Sequence, residues 1–138
     1  MYTTVDAAVM YMDARSYGLS GSELLSDPKL VMRDCNGVGA DWMPQVMRDL
    51  ATALSPCMEI PAAIHDRRYA IGGEAPGRLF ADGEFLTNCL AMIERKYGWL
   101  NPLRYLMFHR ANRYYTLLRT FGAIAYGKGN VGANSRTA

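Results

Sequence analysis

Apolar residues recur along this chain at helical spacing. Thr3-Thr4 offers an N-cap before Val5-Asp6-Ala7-Ala8-Val9-Met10-Tyr11-Met12, an early acid followed by helix formers, and Gly18 and Gly21 end that segment. Ser22-Glu23-Leu24-Leu25 predicts a short turn before Pro28, and residues 34–41 read as a glycine-bearing loop. Pro44 suits the first turn of a helix to about Leu54, with Val46, Met47, Leu50, Ala51 and Leu54 as its inner stripe, and Ser55-Pro56 breaks it. Pro61 restarts a helix that Gly72-Gly73 stops, and Glu74 to Arg78 reads as a loop. Leu79 to Tyr97 carries Phe85, Leu86, Cys89, Leu90 and Ile93 on one stripe. Asn101-Pro102 opens a last helix to about Tyr126, and residues 127–138, rich in glycine and small polar residues, read as a flexible tail. No segment alternates with the period of two that a strand needs. The pattern predicts an all-α domain over residues 1–126.

Composition narrows this further. A chain of 138 residues, half of them hydrophobic and a fifth charged, can bury one real core. Nine Met and nine Tyr fit a Met-filled core with Tyr at its margins, or an adaptable apolar surface. Three cysteines (Cys35, Cys57, Cys89) without C-x-x-C spacing predict neither a disulfide framework nor a structural zinc site. Asp6 and Asp13 interrupt any signal-like start, and no run approaches the ~18 apolar residues of a membrane span. The expectation is a soluble protein without a signal peptide, cytoplasmic or associated with a host or virion.

The net charge of +2 is unevenly spread: residues 99–138 contain six Lys/Arg and no acid, so the acids all lie in residues 1–98. A basic end on an acidic body predicts an anionic contact, such as a phospholipid surface, or an outer helix face merely solvated by Arg. The run Arg104-Tyr105, Arg110, Arg113-Tyr114-Tyr115, Arg119 suits nucleic acid as well, although no recognised motif frames it. Trp42 and Trp99 suit either an interface or ordinary packing, and His109, with no ligand partner at matching spacing, reads as structural.

The chemistry concentrates in Ile64-His65-Asp66-Arg67-Arg68-Tyr69 and the preceding Cys35-Asn36-Gly37-Val38-Gly39-Ala40. Adjacent His and Asp point about 100° apart on a helix, so one can move a proton while the other holds a cation. Calcium takes oxygen ligands, commonly mixing carbonyls with carboxylate, and glycines let carbonyls turn inward. His65 needs an acceptor to fix its tautomer. Asp82, an acid on the inward stripe of an apolar helix, is the candidate, since burying it without a partner is costly. Tyr69, one turn after His65, can donate to the same network. Cys35 could instead be read as a nucleophile with His65, but no second motif supports that.

In order and combination these residues resemble the phospholipase A2 superfamily, closest to its small, disulfide-poor prokaryotic and viral members, over roughly residues 34–93. The resemblance implies a small helical bundle whose glycine loop binds Ca2+ ahead of a His-Asp helix. It assigns carbonyls of Cys35, Gly37 and Gly39 and the Asp66 carboxylate to calcium, the Gly37 N–H to the oxyanion, His65 as general base, Asp82 as its orienting carboxylate and Tyr69 as a supporting hydroxyl. It further implies hydrolysis of the sn-2 ester of glycerophospholipids at a membrane surface. Ala40 and Asn36 depart from the family's loop, and Pro61 and Ala62 stand where flanking cysteines would be. The alternative is a non-catalytic phage, prophage or cell-envelope module that keeps the fold.

Overall fold

The structure, a computed structural model, describes residues 2–35, 55–73 and 75–137. Among these there is no strand: five α-helices and two short 3-10 turns make up the regular structure. Helix α1 spans Thr4–Ser16. The Thr3 hydroxyl accepts from the Asp6 N–H (3.1 Å), the N-cap anticipated from Thr3-Thr4, and the Asp6 carboxylate accepts in return from the Thr3 N–H (2.7 Å). Ala7, Met10 and Ala14, at i, i+3 and i+7, form its buried face. Beyond Gly18, a 3-10 turn over Ser22–Leu25 leads to α2, Pro28–Asp34.

Gly21 cannot be replaced there. Its φ of +80° lies in the left-handed region, and a Cβ would sit 2.8 Å from both Glu84 Oε1 and Ile64 Cγ2. The turn is pinned from the other side by Asn88, which accepts from the Ser20 N–H (3.1 Å) and donates to the Ser20 carbonyl (2.9 Å). Glu84 accepts from Ser20 Oγ (2.7 Å) and from two Arg68 nitrogens (3.0 Å each).

A 3-10 turn at Pro56–Met58 runs into α3, Glu59–Ile71. This helix is buried nearly all round, as a central helix must be. Ala63 and Ile64 pack with Ala7, Met10, Leu25 and Val31 of the N-terminal layer, while Met58 and Ala62 pack with Phe85, Cys89, Ile93 and Met107. Burial of side chains such as Ile64 and Leu25 is worth about 1.5–3 kcal/mol each. An Arg67–Asp34 ion pair, both side chains nearly buried, ties α3 to the end of α2.

Helix α4 spans Ala75–Lys96 and α5 spans Pro102–Thr137. Asp82, Phe85, Cys89 and Ile93 of α4 are buried as the periodicity predicts, together with Ala81, while Leu86 and Leu90 of the expected stripe are half-buried. Two expected helix bounds are corrected, and one helix is added. Residues 28–34, to which the sequence pattern assigned no element, are helical, because Asp27 caps Lys29 N (2.9 Å) and Pro28 occupies the first turn. Helix α4 begins at Ala75 rather than Leu79, since a proline at residue 76 falls where its missing N–H costs nothing. Helix α5 continues past Tyr126, its expected end, to Thr137. The predicted helix at 44–54, Trp42, and the loop residues Gly37, Gly39 and Ala40 lie outside the described residues. No described helix is long and apolar enough to cross a membrane.

Candidate active site

His65, Tyr69 and Asp82 come together where α3 meets α4. His65 and Tyr69 are one turn apart on α3, with ring centroids 4.1 Å apart. Across the helix pair, His65 Nε2 lies 2.8 Å from Asp82 Oδ1, and the Tyr69 hydroxyl donates to the same oxygen at 2.6 Å. The edge of Phe85 closes the imidazole's flank at 5.5 Å. Asp82 is fully buried and His65 nearly so.

Charge decides what this arrangement can do. Burial pushes the Asp82 carboxyl up, but hydrogen bonds from His65, Tyr69 and Arg119 outweigh it and hold the group below the usual carboxylate range. Asp82 is therefore ionised near neutral pH and can only accept. In the neutral imidazole Nε2 must then carry the hydrogen, which leaves Nδ1 with a lone pair. Burial and the bond to Asp82 both push the Tyr69 hydroxyl well up, so it stays a donor.

The second oxygen of Asp82 is occupied from α5, as the sequence pattern did not foretell. Arg119 Nη1 donates to Oδ2 at 2.7 Å, and Arg78 Nη1 lies 3.5 Å from the same atom. Arg78 also donates to the Leu118 carbonyl (3.0 Å), so it holds α4 and α5 together. Helix α5 approaches closely because Gly122 has no side chain. A Cβ there would overlap the Tyr69 hydroxyl and come within 3.2 Å of Arg78 Nη1. Arg119 thus leaves the basic surface run: its partner lies 37 residues away, on another helix. A lone glycine amid helix formers was the available signal of this close approach.

Asp66, half-buried, follows His65 on α3. Its carboxylate raises the Cys35 thiol, after the larger effect of burial. Burial, then Glu59, Cys35 and Asp66, raise the Tyr2 hydroxyl. Asp66 and Asp34 thus act on Cys35 in one sense and Arg67 in the other. The Cys35 thiol donates to the Ala63 carbonyl (3.4 Å) and is held protonated, which argues against its use as a nucleophile. Among the described residues no three His, Cys, Asp or Glu side chains are grouped to hold a metal. The assigned ligands Gly37 and Gly39 lie outside them. Cys57 and Cys89 are buried and free, and His109 is exposed. Comparison of the chain with protein-family models, curated proteins and solved structures finds no match.

Proposed function

We propose that this protein is a calcium-dependent, phospholipase A2-like hydrolase acting on the sn-2 ester of glycerophospholipids. The observation that carries the reading is His65 Nε2 held at 2.8 Å by an ionised, buried Asp82, with Asp66 the next residue along the helix. His65 Nδ1 takes a proton from water, and the oxygen so activated attacks the ester carbonyl carbon. Asp82 keeps the ring in the useful tautomer and stabilises the imidazolium that forms. Collapse of the tetrahedral species breaks the bond to the glycerol oxygen, and the imidazolium returns its proton to that alkoxide. The products are a fatty acid and a lysophospholipid. Asp66, with carbonyls of Cys35, Gly37 and Gly39, would hold the calcium, whose chemistry is to polarise the ester carbonyl and offset the developing negative charge.

The test is fatty-acid release from phospholipid vesicles with millimolar calcium. We expect release by the wild type, loss in chelator, and a fall of at least 100-fold in His65→Gln with unchanged helical circular dichroism. No release from any lipid class with calcium present would sink the proposal.

One observation favours a second reading. Asp82 is closed by Arg119 and Arg78 as a structural ion cluster would be, which suits a non-catalytic phage or envelope module. Calcium that leaves the melting temperature unchanged would favour that module.

A further inference from the structure

Among the described residues, nothing covers the apolar residues on the outer face of α5. Leu103, Leu106, Leu117 and Phe121 are exposed, and Arg110 and Arg113 fall between them. At 100° per residue these six positions fall within roughly 80° of the helix circumference. From Leu103 to Phe121 the stripe runs about 27 Å at 1.5 Å per residue. Trp99 and Leu100, 70% and 75% exposed, extend it at the turn before the helix. Arg119, which points to Asp82, lies about 160° round the helix from Leu117, so the stripe faces away from His65.

Charge selects the occupant. In a second copy paired antiparallel through this stripe, Leu103 would meet Phe121, Leu106 would meet Leu117, and Arg110 would meet Arg113. That sets the Arg113 of each copy at the centre of the pairing, and residues 99–138 contain no acid to offset these like charges. An anionic surface has the complementary sign. An apolar row with cations at its middle and a Trp at its end matches a helix lying in the plane of a lipid interface. Another exposed apolar row, Val5, Val9 and Met12 of α1, shares its helix with Asp6 and Asp13 and lacks that match.

We infer that α5 anchors the protein on anionic lipid through Trp99, Leu103, Leu106, Arg113, Leu117 and Phe121. This surface is separate from the hydrolase site and does not require turnover.

The test is co-sedimentation of the full chain with sucrose-loaded vesicles in chelator, where calcium-dependent hydrolysis cannot proceed. We expect binding to vesicles containing phosphatidylglycerol, weak binding to pure phosphatidylcholine, and release by salt. Arg113→Gln should weaken partitioning about fivefold. Leu117→Glu/Phe121→Glu should abolish it with circular dichroism unchanged, while Val5→Glu/Val9→Glu should leave it intact. Four results would overturn the inference: no binding, binding untouched by the Leu117→Glu/Phe121→Glu pair, retention of oligonucleotides instead of vesicles, or a dimer that this pair dissociates. Binding without fatty-acid release when calcium is restored would sink the hydrolase and leave the anchor standing.

Discussion

Gly122→Ala tests how closely α5 must approach the site. The added methyl overlaps the Tyr69 hydroxyl, which cannot swing aside without losing its 2.6 Å bond to Asp82. Overpacking costs about 1–3 kcal/mol, and a hydrogen bond to a charged group contributes about 1.5–3 kcal/mol. Alanine returns about 1 kcal/mol of helix propensity, so the net loss should be near 2 kcal/mol. Tyr69→Phe alone loses the same hydrogen bond but also removes the obstructing oxygen. In that background Gly122→Ala should be neutral or stabilise by up to about 1 kcal/mol. Urea denaturation of the four proteins forms a double-mutant cycle, with an expected coupling of about 2 kcal/mol or more. Additive effects would refute the account of Gly122 as the seat of the Tyr69–Asp82 bond.

Three further outcomes are expected. Because the folded Asp82 carboxyl is held low, its stabilisation is complete above the unfolded value of about 3.9 and is lost as pH falls through the lower folded value. Acid titration of stability should therefore be less steep in Asp82→Asn, which should also cost about 3–5 kcal/mol at pH 7 by leaving the half-buried Arg119 and Arg78 without their buried carboxylate. Asp34, also held low against burial by Arg33 and Arg67, should keep part of the slope. Arg119→Met should lower the rate of fatty-acid release more than it raises KM, and Arg119→Lys should restore most of the rate. An equal effect of both substitutions would reduce Arg119 to a packing role. Cys35, Cys57 and Cys89 are buried with thiols pushed up, so a thiol-specific disulfide reagent at pH 8 should react with none of them until the protein unfolds, and then with all three.

The His65–Tyr69–Asp82 cluster of the candidate site was legible where a residue broke a pattern. Asp82 stood out as an acid on an apolar stripe, and Tyr69 as an aromatic one turn from His65. Arg119 and Arg78 were not legible, because an arginine on a helix reads as solvated until its partner on another helix is known. The start of α4 was obscured by Pro76-Gly77, a pair that marks a loop by composition yet is tolerated in a first turn. Helix α2, seven residues long, is too short for periodicity to register, although Asp27-Pro28 held its capping signal. The all-α class came through because the inward stripes of α1, α3 and α4 repeat at helical spacing and no strand pattern competes with them.

The central claim is that His65 activates water for attack on one ester beside a cation at Asp66. It is tested most directly with a phospholipid carrying different acyl chains at its two positions. With calcium, the account predicts release of the sn-2 chain and an equal amount of lysophospholipid, and none from Asp66→Asn. No release, equal release of both chains, or undiminished release by Asp66→Asn or in chelator would contradict it.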